Sequence, residues 1–159
     1  MSEVIKVGMA DLNVCKAPDV ITTLGLGSCI GLVLYDPVTK VGGMVHYMLP
    51  DSTKIRQNQN KLKFADTGIQ ALVEELEKQG LSRKNMIAKI AGGAKMFQFS
   101  SDTAMGNIGE KNVEAVREVL KQYGIKIVSE DVGLNYGRTI VFDPVTKDLT
   151  VVTAGKQTH

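Results

Sequence analysis

"CIGLVLYDPVTKVGGMVHYMLP", residues 29–50, reads as two strands folded back on one another. Cys29–Asp36 is a near-continuous apolar run, the pattern of a strand covered on both faces. Asp36–Lys40, "DPVTK", is turn chemistry, with Pro37 supplying the fixed φ of a turn's second position. Val41–Pro50 is the returning strand, and Gly42-Gly43 within it reads as a bulge.

Upstream, Val4–Val14 and Asp19–Gly25 alternate or cluster β-branched residues and read as strands. Downstream, Asp51–Lys61 is polar and reads as a mobile loop. The period then changes. Phe64, Ile69, Leu72, Val73 and Leu76 recur at helical spacing, with Gly80 where a C-terminal cap belongs. Asn85–Gly92 is a short buried strand. Gly106–Gly124 is a second amphipathic helix carrying Val113, Val116, Leu120 and Tyr123 on one face. Ile125–Gly133, Gly137–Asp143 and Asp148–Ala154 finish the chain as strands. Asp-Pro-Val-Thr-Lys occurs twice, at 36–40 and 143–147, each time between an apolar strand and another. A duplicated α/β unit and two convergent turns both account for it. Either way the class is mixed α and β, with more strand than helix.

The 159 residues suit one domain, spanning 1–159, and suffice for a real core. A hydrophobic fraction of 43% and a charged fraction of 23% are ordinary for a globular protein. The net charge of +2, dispersed along the chain without a basic stripe, argues against nucleic acid. No apolar run approaches the ~20 residues of a membrane span, and the N-terminus lacks signal-peptide zones, so the expected location is cytoplasmic, without membrane insertion. Two cysteines, Cys15 and Cys29, fit free thiols in a reducing compartment. Only two histidines occur, His46 and the terminal His159, so a metal cluster of Cys and His is disfavoured and neither metal nor cofactor is expected.

Just ahead of the hairpin stands "GLGSCIG", Gly25–Gly31. A dinucleotide fingerprint fails there because the third glycine position is Ile30, and no helix follows to hold a phosphate. "GSCIG" does match Gly-x-nucleophile-x-Gly with cysteine central, although it runs into a strand, unlike the elbow of α/β-hydrolases. Glycines at Gly27 and Gly31 allow a sharp bend, room for a substrate carbonyl, and backbone N–H groups aimed at a developing oxyanion. A free thiol, with a pKa of about 8.5, needs a base. If Asp36 pairs with Thr39, His46 faces Cys29, and opposed Cβ atoms lie roughly 4.5–5.5 Å apart. If the register centres on Val38, His46 falls diagonal to it. Taken alone, Cys29 reads as a small buried hydrophobe and His46 as a core residue with its polar tip satisfied; their adjacency beside glycines is what suggests a nucleophile and its base. Cys15 has neither a glycine loop nor a histidine in register.

"TTLGLGSCIGLVLYD" followed by "GGMVHYMLPDS" resembles the signature of the CheD family of chemoreceptor glutamine deamidases. "AKIAGGAKMF" (Ala88–Phe97), "NIGEKN" (Asn107–Asn112) and "GLNYGRTIVFD" (Gly133–Asp143) extend the resemblance along most of the chain. It implies an α+β fold: a three-layer α/β/β sandwich of mixed, largely antiparallel sheets with two main helices, like the deamidase domain of cytotoxic necrotizing factor toxins. It implies a Cys-His pair assisted by a threonine, here Cys29, His46 and Thr23, with Thr22 the adjacent alternative, and Gly27 and Ser28 forming the backbone loop. It implies conversion of selected glutamines of methyl-accepting chemotaxis receptors to glutamate through a thioester, and binding and stimulation of the CheC phosphatase. Two rivals remain: another Cys-His amidohydrolase, and a non-enzymatic adaptor of the phosphatase and receptor. Met96, Phe97 and Phe99 are candidate contact points for a partner, or core.

Overall fold

The structure is a computed structural model that describes residues 2–54, 59–95 and 108–153. Its centre is the hairpin of β4 (Ile30–Asp36) and β5 (Val41–Tyr47). Around it, β1 (Val4–Val7), β2 (Asp11–Lys16) and β3 (Val20–Leu26) precede. Helix α1 (Ala65–Lys78), β6 (Ile87–Gly92), helix α2 (Ile108–Tyr123), β7 (Lys126–Val132), β8 (Arg138–Phe142) and β9 (Leu149–Thr153) follow.

The strands form two sheets, a five-stranded one in the order β2-β5-β4-β6-β7 and a four-stranded one in the order β1-β3-β8-β9. Five of the seven strand pairings are antiparallel; β1-β3 and β6-β7 are parallel. The period-2 alternation of β4 explains why it is apolar throughout. Ile30, Leu32 and Leu34 join the cluster under the helices, whereas Val33 and Tyr35 join the cluster between the sheets. Helices, five-stranded sheet and four-stranded sheet are therefore three layers of an α+β sandwich.

Both helices obey their periodicity. Ala65, Gly68, Ile69, Leu72, Val73 and Leu76 of α1 are buried, as are Val113, Val116 and Leu120 of α2. Gly80 (φ 98°) and Gly124 (φ 72°) close them in the left-handed region. None of the helices among the described residues is long and apolar enough to cross a membrane.

Several expectations are corrected. Val4–Val14 is two strands: the chain turns at Gly8–Ala10, where the Asp11 carboxylate accepts from the Gly8 N–H at 3.0 Å and Ala10 adopts φ 53°. The turn sends β1 and β2 to different sheets. Asp51–Lys61 is not an unbroken loop, for Ser52–Lys54 is a 3₁₀ turn. Gly42-Gly43 is not a bulge, since the β4–β5 register runs through it unbroken. Packing is what demands glycine there. A Cβ at Gly42 would lie 2.9 Å from Tyr35 Cβ, and one at Gly43 would lie 2.8 Å from Leu72 Cδ1 and 3.0 Å from the Asn13 carbonyl.

The repeated pentapeptide makes the same turn twice. Asp36 and Asp143 each accept, at 2.8 Å, from the amide two residues on, and Lys40 (φ 61°) and Lys147 (φ 69°) both sit in the left-handed region. One hairpin lies in the middle of the five-stranded sheet and the other at an edge of the four-stranded sheet, so the likeness resides in a local code.

Gly43→Ala is expected to lower folding stability by about 1–3 kcal/mol, because Leu72 can shift but the Asn13 carbonyl cannot. Urea unfolding midpoints of the two proteins measure this.

Candidate active site

Cys29 closes a bend at Gly27–Cys29 that joins β3 to β4, and its side chain is half-buried against the cluster between the sheets. The bend is held by its carbonyls. That of Gly27 accepts from the Ala94 N–H and that of Cys29 from the Gly93 N–H, both at 2.9 Å. The Ser28 carbonyl accepts from the Asn112 side-chain amide at 2.8 Å. Such close backbone approach needs glycine opposite: a Cβ at Gly92 (φ 113°) would stand 2.1 Å from the Cys29 carbonyl oxygen. The glycine pair Gly92-Gly93 at the end of β6 is the sequence signal that could have pointed to this support.

His46 is fully buried in β5. The register pairs Asp36 with Val41 and therefore His46 with Gly31, so the sequence alternative of His46 directly facing Cys29 is corrected. Continued past the end of β4, this register would set Cys29 opposite Met48, with His46 diagonal to it, a separation of about 7–8 Å between Cα atoms. Both side chains occupy the face toward the four-stranded sheet, as Met44 and Cys29 show by joining the cluster there. Gly31 lies between them, where the four-stranded sheet packs too closely for a side chain: a Cβ at Gly31 would lie 2.7 Å from Ile140 Cδ1.

Thr23 reaches His46 from the opposite sheet. Its Oγ1 lies 2.8 Å from His46 Nδ1 and 2.7 Å from the Val7 carbonyl, its parallel-strand neighbour. The carbonyl can only accept, so the single hydroxyl hydrogen goes to Val7. The imidazole must then donate Nδ1–H to Thr23, leaving Nε2 as a bare lone pair. That Nε2 is buried and has no hydrogen-bond partner among the described residues, the Cys29 thiol included. Thr22 is committed elsewhere, donating to the Ile140 carbonyl at 2.7 Å.

The electrostatics leave both partners neutral at rest. Burial pushes the Cys29 thiol above its ordinary value, partly offset by its own backbone N–H. Burial likewise pushes His46 below 6.5. Proton transfer from sulfur to Nε2 would thus accompany attack on a substrate rather than precede it. Cys15 offers a contrast. Burial and the nearby carboxylates of Asp19 and Asp143 push it up to about 12, and its thiol donates to the Asp19 carbonyl at 3.1 Å.

Two residues of this neighbourhood escaped the sequence reading as site residues: Val7, which orients Thr23 through its carbonyl, and Asn112, which grips the bend from α2. A cavity of about 310 Å³ opens beside Thr23, walled by Val7, Gly8, Met9 and Leu24. Met96, Phe97 and Phe99, as well as His159, lie outside the described residues.

Two outcomes are expected. Iodoacetamide should alkylate Cys29 well before Cys15 in the folded protein, as peptide mass spectrometry resolves. Because His46 takes up a proton less readily folded than unfolded, its contribution to stability is intact above pH 6.5 and is lost as pH falls below that value. Urea midpoints between pH 7 and pH 5 should fall by a component that His46→Gln lacks.

A family model described as CheD chemotactic sensory transduction matches residues 48–153. The chain is 61% identical over 156 residues to the "Probable chemoreceptor glutamine deamidase CheD" of Lachnoclostridium phytofermentans, covering 98% of this chain and 97% of the relative. It is 56% identical to the protein of the same name from Caldanaerobacter subterraneus subsp. tengcongensis, over 97% and 95% of the two chains. It is 52% identical to the "Chemoreceptor glutamine deamidase CheD" of Halalkalibacterium halodurans, over 96% and 95%.

Proposed function

The chain belongs to the CheD family, and from that membership and the geometry around His46 we propose that it is a cysteine-dependent deamidase of chemoreceptor glutamines. The relatives' names supply the reaction and the substrate class. The observation that carries the residue assignment is the Thr23–His46 hydrogen bond, which turns an unprotonated, unpartnered Nε2 into the interior between the sheets where Cys29 also packs.

The steps follow from these groups. A glutamine side chain enters with its carboxamide carbon at Cys29 Sγ. As sulfur attacks, its proton passes to His46 Nε2, and the amide oxygen becomes an oxyanion. Backbone N–H groups of the Gly27–Cys29 bend, with Ser28 among them, would receive it; what supports this reading is that the bend's carbonyls are tied down on Ala94, Asn112 and Gly93. The imidazolium then gives its proton to the departing nitrogen, ammonia leaves and a thioester remains. Water, deprotonated by the again neutral His46, hydrolyses the thioester to glutamate and restores the thiol. Thr23 holds the ring in the required tautomer throughout, the part a carboxylate plays in other triads.

The whole chain, 1–159, acts as one deamidase domain in this reading, on the cytoplasmic region of the receptors. The family resemblance adds a second partner, the CheC phosphatase, which the protein would bind and stimulate.

The test is mass spectrometry of a purified receptor cytoplasmic fragment incubated with wild type and variants. Wild type should convert particular glutamines to glutamate with release of ammonia, without backbone cleavage. Cys29→Ala should convert none, and His46→Gln should be slower by about 10²–10⁴-fold. Thr23→Val, which keeps the side-chain shape, should be slowed less than His46→Gln. Full conversion by Cys29→Ala would sink the assignment.

A further inference from the structure

Helix α2 reaches the bend ahead of Cys29 through one side chain. Asn112 is fully buried, and its Nδ2 donates to the Ser28 carbonyl at 2.8 Å and to the Met48 carbonyl at 2.9 Å. Both neighbours are acceptors, so the amide can only sit with its NH₂ toward them. Its Oδ1 then points away, buried and without a partner among the described residues. The residue's own carbonyl accepts from the Tyr47 hydroxyl, which ties this turn of α2 to the end of β5.

The position of this contact gives it meaning. The β4–β5 ladder ends at the pair Ile30–Tyr47. One step further the facing residues would be Cys29 and Met48, but the chain has already left strand geometry at Gly27–Cys29. The amides of Gly93 and Ala94 hold the bend to the β6 side, but the β4–β5 ladder itself does not reach across this step, where the thiol and the imidazole must cooperate. Asn112 closes that gap, joining the carbonyl just before Cys29 to the carbonyl two residues after His46.

We propose that Asn112 is a positioning residue for Cys29: its side-chain amide clamps the Gly27–Cys29 bend to the end of β5, so that the thiol is held toward His46 Nε2. The inference rests on the reading of Cys29 as nucleophile. A misplacement of about 1 Å in such a constellation costs about 10²-fold in rate, so the clamp acts on turnover rather than on substrate affinity.

Asn112→Asp preserves the shape and removes both donors, setting a carboxylate oxygen against two carbonyls; Asn112→Ala removes the group altogether. In variants whose circular dichroism matches wild type, kcat for receptor-fragment deamidation should fall by about 10²-fold with KM unchanged. The same variants should alkylate with iodoacetamide at Cys29 faster, with a pH midpoint nearer that of an unburied cysteine, because a released bend exposes the sulfur. Loss of turnover together with freer alkylation separates a clamp from a residue that merely stabilises the fold. Wild-type kcat and a wild-type alkylation midpoint in a folded variant would overturn the proposal. Should neither variant fold, wild-type NMR decides: the Asn112 NH₂ protons should resist solvent exchange and shift when Cys29 is alkylated, and fast-exchanging, unshifted signals overturn it. Deamidation surviving in Cys29→Ala would instead overturn the nucleophile assignment, while alkylation of Cys29 in the Asn112 variants still reports whether the clamp exists.

Discussion

The site depends on one hydrogen bond that crosses between two sheets. Thr23 belongs to the four-stranded sheet and His46 to the five-stranded sheet, and the space between them is otherwise filled by residues such as Ile21, Met44, Ile140 and Phe142. A buried imidazole there needs a partner for its N–H, since an unmade hydrogen bond in such surroundings costs about 1–3 kcal/mol. Thr23 supplies one acceptor and passes its own hydrogen to the Val7 carbonyl. Sheet packing and tautomer are thus set together: the same contact that satisfies Nδ1 leaves Nε2 bare. The parallel pairing of β1 with β3, which brings Val7 level with Thr23, accordingly sets the tautomer of His46 as well as the fold.

Around that bond the machinery is largely main chain. The bend before Cys29 is pinned by the amides of Gly93 and Ala94, and glycine at 92 is required because nothing larger fits against the Cys29 carbonyl. Gly31 plays a comparable part between thiol and imidazole, where a side chain would collide with Ile140. Burial opposes both a thiolate at Cys29 and an imidazolium at His46, so the two groups rest neutral.

Much of this was legible in the residues. The apolar run of β4, the helical spacing in α1 and α2, and the Asp-Pro-Val-Thr-Lys turns all express local preferences that survive in any packing. That Cys29 and His46 would lie on neighbouring arms of one hairpin followed from the turn alone. Other features misled. Gly42-Gly43 looked like a bulge because a glycine pair in a strand has two explanations, and only the presence of Leu72 and the Asn13 carbonyl selects the second. The break at Gly8–Ala10 was hidden because apolar alternation continues on either side of it, at Val7 before and at Leu12 and Val14 after.

The amino-acid sequence by itself determined what depends on near neighbours: strand and helix spans, the turn that joins β4 to β5, and a glycine-flanked thiol on the arm of the hairpin next to that of the single interior histidine. Tertiary structure decided the rest. It set Thr23 rather than Thr22 against His46, because Thr23 shares the inward face of β3 with Ile21 while Thr22 bonds to β8. It chose the register that sets His46 against Gly31, and it brought Asn112, remote in sequence, onto the Ser28 and Met48 carbonyls. The division has a plain cause. Local preference acts through a residue's own backbone and its adjacent turns, whereas a buried hydrogen bond between distant segments exists only once two layers have packed and left its atoms no water to turn to.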